Sequence, residues 1–354
     1  ALDGSVNPEH PCPSCSCPQA MHFNDEGRGD EGIPDAHDVL LYRRTPNPGV
    51  PSMSELAPQF TDEAAAFQYL VEKGALVVPT SCSECGGTVS RKSGDQWKVY
   101  QCGARTCRNA VSITTHTFFS GARLELHKIL QICWLWVHNT KTSATMNMVP
   151  CNSTTAKHWY DRLEDIVSWD THCCPQEDGM IGGVGTIVEV DESKFGRRHG
   201  HRGHRVLGQW VVGGVERTEA RRLFLVCVGN RTATTLMNVL NKYVVKGSIV
   251  YVDGWAGYKE EEMIEAGFYK DSVNHTYHFV QPETGVHTNT IEGSWNGIKQ
   301  KTSARKYSGG LLQDKLFDYI WRRRHNGRLW DQLMGAMGRL IIDWPWDNDT
   351  DGDN

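Results

Sequence analysis

The chain has 354 residues, enough for two or three domains, and its 39% hydrophobic content with twelve tryptophans suits a packed globular core. No apolar run of about 18 residues occurs, so no membrane-spanning helix is expected, and no signal-peptide pattern is visible. The formal charge of −5 disfavours a nucleic-acid binder only on average. The last twelve residues, DWPWDNDTDGDN, hold five Asp and no cation, and the rest of the chain is formally neutral.

Residues 1–60 are rich in Pro, Gly and acids and lack periodicity, which predicts an extended or partly disordered arm. Its segment HPCPSCSCPQAMH offers His10, Cys12, Cys15, Cys17 and His22 as a small metal knuckle; a flexible arm with free thiols is the alternative. A second domain is expected over residues 61–120. TDEAAAFQYLVEK (61–73) reads as a helix capped near Thr61 or Asp62. CSECGGTVSRKSGDQWKVYQCGARTC follows, with the pairs Cys82–Cys85 and Cys102–Cys107 flanking a hairpin-like stretch. Clustered thiols without a secretory signal read as zinc ligands, and two pairs supply the four soft donors of a structural Zn²⁺ ribbon. A metal-free hairpin is the alternative, but so small a module has little apolar core of its own.

Residues 121–180 predict three helices with short turns, in LELHKILQICWLWVHN, KTSATMNMV and NSTTAKHWYDRLEDIVSW. Positions 156, 159, 160, 163, 166 and 167 form an apolar stripe on the third. A helix-turn-helix-like DNA-binding domain is one reading, with Thr154, Thr155, Lys157 and His158 near the N-terminus of the third helix as base or backbone contacts. An ordinary helical spacer is the other.

From residue 181 the pattern changes to strand, strand, strand, helix, strand, helix, strand, helix. TIVEVDE, HRVLGQWVVGGVER and ARRLFLVCVG read as strands, TATTLMNVLNKYV as an amphipathic helix, and SIVYVDGWAGY as a strand. EEEMIEAG is a helix, VNHTYHFV a strand, and two helices follow at about 288–303 and 311–324. This is the order of an α/β, RNase H-like catalytic domain, placed over residues 181–330. Residues 331–354 are left as an acidic tail. The fold places the first and fourth strands side by side. Asp191 at the end of the first and Asp253 at the end of the fourth then meet at one edge, and Glu292 approaches from the helix after the last strand. Such a triad can hold two Mg²⁺ or Mn²⁺ ions about 3.5–4 Å apart. Turn-forming acids at strand ends are the bland reading of each residue. Glu192, next to Asp191, is expected on the opposite face.

The blocks EVDESKFGRR (189–198), HRGHRVLGQWVVGGVER (201–217), DGWAGY (253–258) and VNHTYHFVQPETGVHTNTIEGSWNGIK (273–299) resemble the Merlin superfamily of eukaryotic DNA transposases, kin to bacterial insertion-sequence transposases. CSECGG and YQCGARTCRNAVSITTHTFFSG also fit. The resemblance spans roughly residues 61–325 and implies a D-D-E triad carried by Asp191, Asp253 and Glu292. It further implies strand cleavage at transposon ends, joining of the 3′-hydroxyl to target DNA, and a nuclear location.

Cation clusters supply further expected DNA contacts whatever the total charge. RRHGHRGHR offers Arg197, Arg198, His199, His201, Arg202, His204 and Arg205 as phosphate contacts, with a solvated loop or a histidine metal site as alternatives. Lys299, Lys301, Arg305 and Lys306 extend the basic run beyond Glu292. His287 and Asn289 either orient the scissile phosphate or cap the helix. Trp295 is a stacking surface or, by preference, a core anchor beside Ile291 and Ile298, and Trp210, Trp255 and Trp321 are read as core. Two transposon ends need at least two active sites, so double-stranded DNA and a second copy of the chain, as a dimer or larger assembly, are the expected partners. The competing readings are a host-adopted DNA-binding protein that no longer cuts, and a nuclease that hydrolyses without joining.

Overall fold

The computed structural model describes residues 49–92, 99–173, 180–196, 208–253, 257–273, 288–302 and 310–340. Its described residues fall into two compact units, residues 49–167 with 325–340, and residues 168–324.

The first unit begins earlier than the arm predicted over residues 1–60. Residues 49–60 are folded, and the short helix α1 (Ala57–Thr61) starts on a proline in its first turn. Leu56 and Phe60 are buried, and the Trp134 indole N–H donates to the Pro51 carbonyl at 2.8 Å. This anchor comes from a residue 83 positions away, so no local period announces it. Helix α2 (Glu63–Glu72) is capped by Asp62, whose carboxylate accepts from the Ala65 N–H at 2.8 Å. Strands β1 (Val89–Arg91), β2 (Val99–Cys102) and β3 (Ala110–Ser112) form an antiparallel sheet in that order. Helices α3 (Leu126–Val137), α4 (Thr142–Met148) and α5 (Ser153–Cys173) follow. The predicted stripe on α5 is buried at all six positions, and a buried hydrogen bond of 2.7 Å between Thr145 and Tyr160 ties α4 to α5.

The second unit holds β4 (Ile187–Phe195), β5 (Gln209–Glu216), β6 (Leu223–Val228), α6 (Ala233–Tyr243), β7 (Ile249–Asp253), α7 (Glu260–Glu265), β8 (Tyr269–Val273), α8 (Asn289–Lys301) and α9 (Gly310–Arg324). The strands lie in the order β6-β5-β4-β7-β8. β5 runs antiparallel to β4 and β6, while β7 runs parallel to β4 and β8. The predicted neighbourhood of the first and fourth strands is thus observed. The last strand is Tyr269–Val273, one step earlier than VNHTYHFV, whose residues 274–280 lie outside the described set.

Alternation along β4 sorts its side chains to two faces. Val188 and Val190 join Val250, Val252, Leu236 and Leu240 in one apolar layer with α6. Phe195 joins Val211, Val215, Ile291, Ile298, Leu312 and Leu316 in the other, with α8 and α9. After α9 the chain returns to the first unit as α10 (Leu329–Arg339), which buries Leu329, Trp330, Leu333, Met334, Ala336 and Met337. The Trp330 indole N–H donates to the Tyr69 hydroxyl at 2.7 Å. Residues 331–339 are therefore a packed amphipathic helix, not the start of an acidic tail.

Candidate active site

Asp191 is the fifth of nine residues in β4, not its end. The strand continues to Phe195 because β5 keeps pairing with it, while the parallel ladder to β7 stops at Val190↔Val252. The next residues on the two strands are Asp191 and Asp253, brought level where β7 ends. Glu292 stands in the first turn of α8, and the Thr288 hydroxyl donates to its Oε1 at 3.3 Å.

Burial is the main force pushing the Asp191 carboxyl up to about 6, and the negative charges of Asp253 and Glu292 add to it. Two donors work against that rise and fix the group. The Trp295 indole N–H donates to Oδ2 at 2.9 Å, and the Glu192 backbone N–H donates to Oδ1 at 2.7 Å. Trp295 is only 4% exposed and packs edge-on against Phe195. It is thus the core anchor that was expected, and also a hydrogen-bond donor to an acid, which was not. The indole fits because Gly213 is the β5 residue opposite Asp191. A Cβ there would lie 2.6 Å from Trp295 Cη2 and 2.8 Å from Leu225 Cδ2.

Glu189 is the site residue that sequence reasoning missed. Its side chain is fully buried two positions before Asp191, on the same face of β4. It accepts from the backbone N–H of Thr290 at 2.8 Å and of Ile291 at 3.1 Å, from the Thr290 hydroxyl at 2.9 Å, and from Arg217 Nε at 2.6 Å. The Thr288 N-cap side chain makes no capping bond, so a strand residue about a hundred positions away satisfies the first turn of α8. That turn carries Glu292.

Glu192 lies on the other face, as expected. It accepts from the Tyr258 hydroxyl and faces Arg231 at 3.6 Å, and burial pushes its carboxyl up to about 7. Trp210 packs against the apolar layer that α6 covers, in keeping with its reading as core. It is half-buried at the cross-strand position opposite Lys194, with Arg231 4.0 Å and Lys194 5.2 Å from its ring. Trp321 is fully buried and donates to Asp170 at 2.9 Å.

Among the described residues, Cys82, Cys85, Cys102 and Cys107 are the group of three or more possible ligands whose donor atoms lie within 4.8 Å of one another. The Sγ separations are 3.8 Å for Cys82–Cys107 and 3.4 Å for Cys85–Cys102. Zn–S bonds of about 2.3 Å at tetrahedral angles place sulfurs roughly 3.8 Å apart, so the cluster fits a zinc ion. The backbone N–H groups of Cys85 and Glu84 draw the Cys82 thiol down to about 7, towards the thiolate a metal needs. The three acids share one end of the sheet without reaching that mutual spacing. Their oxygen-only donor set suits a hard divalent cation.

The other predicted contacts divide by position. Thr154, Lys157 and His158 are exposed on the first turns of α5 and Thr155 is half-buried there, with its N–H capped by Asn152 at 2.7 Å. Lys157 is ion-paired with Asp161. Asn289 and Lys299 are exposed on α8, and the Lys299 ammonium stands 5.5 Å from the Phe195 ring centre. Arg197, Arg198, His199, His201, Arg202, His204, Arg205, Trp255, His287, Arg305, Lys306 and the Lys301 side chain lie outside the described residues, as do residues 1–48 with the proposed knuckle.

Residues 179–306 match a family model described as the ISXO2-like transposase domain. No curated protein matches the chain. The matched segment holds β4 to α8 and all three acids, and it places this part of the chain in a DDE transposase family. The similarity to a DNA transposase domain is therefore a property of residues 179–306. The match does not separate the Merlin branch from its relatives. No helix among the described residues is long and apolar enough to cross a membrane.

Proposed function

We propose that the chain is a cut-and-paste transposase of the Merlin type, whose second unit is an RNase H-like catalytic domain using Asp191, Asp253 and Glu292. The observation that carries this reading is the register: Asp191 and Asp253 follow a paired Val190↔Val252 on parallel neighbours, and Glu292 stands on the helix capped from the same strand. The three acids would hold the divalent ions, Mg²⁺ or Mn²⁺ at two per site, which when bound activate an attacking water or 3′-hydroxyl and stabilise the leaving oxygen. The protein's own share is positioning, which phosphoryl transfer rewards strongly. Trp295 and the Glu192 N–H aim Asp191, Glu189 fixes the turn bearing Glu292, and Gly213 leaves room for the indole.

In the same reading the cysteine cluster is a structural zinc ribbon, and α3–α5 form a helix-turn-helix that reads transposon ends through Thr154, Thr155, Lys157 and His158. The loop carrying Arg197, Arg198, His199, Arg202, His204 and Arg205 contacts phosphates, as do Lys299, Lys301 and Arg305. A dimer or larger assembly acting in the nucleus brings two ends together. The test mixes the purified protein with a labelled, pre-cleaved transposon end, target plasmid and Mg²⁺, beside Asp253→Asn. Joined product from the parent alone supports the reading. Binding by both proteins with neither cleavage nor joining, on intact and pre-cleaved ends, would replace it with a DNA-binding protein that no longer cuts.

A further inference from the structure

Along the helix that carries Glu292 lies a cleft in which Asn289 is the one predicted contact. It is bounded by the turn between β5 and β6, the first two turns of α8 and the last turns of α9. Arg221 also lines two further recesses, one of them with Arg323 and the other with Glu216 and Arg217. In the recess against α8 the polar groups are the guanidinium groups of Arg221 and Arg323, the amide of Asn289, the hydroxyls of Thr290 and Ser294, and the Tyr319 phenol. Every one of these can donate a hydrogen bond, and no carboxylate lines that recess.

The charge there is not cancelled from within. The buried acids nearby already have cations: Arg217 holds Glu189 at 2.6 Å, and Arg222 holds Glu216 at 2.9 Å. Arg221 and Arg323 have no acid partner among the described residues. Arg323 Nη1 instead donates to Ser294 Oγ at 3.0 Å, and Ser294 Oγ donates to the Thr290 carbonyl, so the guanidinium is aimed by the helix that carries Glu292. Arg221 holds a left-handed backbone, φ 45°, at an exposed turn. Such a conformation costs a non-glycine residue free energy and recurs at ligand-holding sites.

A second observation concerns the floor of the groove. Gly293 follows Glu292 inside α8, where glycine costs about 1 kcal/mol relative to alanine. A Cβ at Gly293 would meet nothing within 4 Å, so the glycine is not required by packing. What it provides is an approach to the helix backbone for something outside the protein.

We propose that this cleft binds the phosphodiester backbone of DNA, with Arg221 and Arg323 each taking a phosphate and Gly293 admitting the strand against α8. The inference rests on the transposase reading and adds to it a track that carries a DNA strand past the turn bearing Glu292. Guanidinium groups with flanking neutral donors are the usual means of fixing phosphate without reading sequence, so the site does not depend on the sequence of the transposon end.

The test measures binding of the full chain to a random-sequence duplex of about 30 base pairs by fluorescence anisotropy, over a range of salt concentrations. Each lost phosphate contact lowers the slope of log K against log salt by about 0.9. Arg221→Gln and Arg323→Gln are each expected to lower it by about that amount and the double variant by about twice as much, on any duplex sequence. Gly293→Glu, whose Cβ would meet nothing within 4 Å, puts a carboxylate on the floor and is expected to weaken binding at least tenfold with no loss of thermal stability. A merely structural role for Arg323 would instead lower the melting temperature and leave the slope alone. If the parent binds the duplex and all four variants keep its affinity and slope, the cleft carries no DNA while the transposase reading stands. If the parent binds no duplex even at low salt, both readings fall.

Discussion

The cysteine module of residues 82–112 and the sheet of β4–β8 both organise polar groups, but on opposite foundations. In the module, Cys82 and Cys102 are the only buried side chains among the described residues, and its three strands have three or four residues each. The sheet lies between two apolar layers, one with α6 and one with α8 and α9. Those layers can sustain several buried polar groups, so Glu189, Asp191, Glu192 and Glu216 can sit inside where charge is costly. In the module the polar atoms are the core. In the sheet they are its passengers, held by arginines, an indole and backbone donors.

The largest effect should come from breaking the module. Structural zinc contributes on the order of 10 kcal/mol or more to folding in small sites. Cys102→Ser is therefore expected to remove one zinc per chain, measured by metal analysis, and to open residues 82–112 to proteolysis. Hydrogen exchange of β4 and β7 should stay as in the parent. Persistent protection of the module in the metal-free protein would erase the contrast. The next effect is Glu189→Ala, which removes the buried carboxylate that Arg217 holds and uncaps α8. Removing one partner of a buried ion pair costs roughly 3–5 kcal/mol, read as a lower urea midpoint, and strand joining should fall with it. A change within about 0.5 kcal/mol would mean that Glu189 does not hold the helix. Gly213→Val comes third. Its side chain meets the Trp295 ring and Leu225, and overpacking of this kind costs roughly 1–3 kcal/mol.

Much of this architecture could be read from the sequence where the signal was local. The stripe on α5, the paired cysteines and the succession of strands and helices from 186 to 273 each rest on spacing within one element or between adjacent ones. The misses share a different cause. Glu189 finds Arg217 28 residues on and Thr290 101 residues on, so its role exists only after the sheet has closed. Trp210 packs against the core as read, but its contact with Lys194 comes only from the cross-strand pairing. Asp191 looks like a strand end because acids usually stop strands, and only the continued pairing to β5 carries β4 past it. Helix α10 is the exception. Its apolar positions at 329, 330, 333, 334, 336 and 337 have helical spacing, and the acidic composition just beyond it masked that signal.

The smallest expected effect is also the one that separates packing from electrostatics at the site. Trp295→Phe keeps an aromatic ring against Phe195 and Gly213 but removes the N–H that donates to Asp191 Oδ2. That bond favours the ionised acid, so its loss pushes the Asp191 carboxyl still further above about 6. A carboxyl whose folded value exceeds its unfolded value of about 3.9 binds protons more tightly in the native state. It therefore favours folding while protonated, and that contribution is lost as the pH rises from about 4 through 6. In the variant the loss extends to higher pH and is larger. Measured in magnesium-free buffer by urea unfolding, the deficit of Trp295→Phe at pH 4 should reflect packing and the weaker bond to a neutral carboxyl. At pH 7.5 it should grow by about 1.5 kcal/mol, the lower end for a hydrogen bond to a charged group. A deficit that does not change with pH would make Trp295 a core residue and nothing more, and Asp191 would then owe its orientation to the Glu192 backbone.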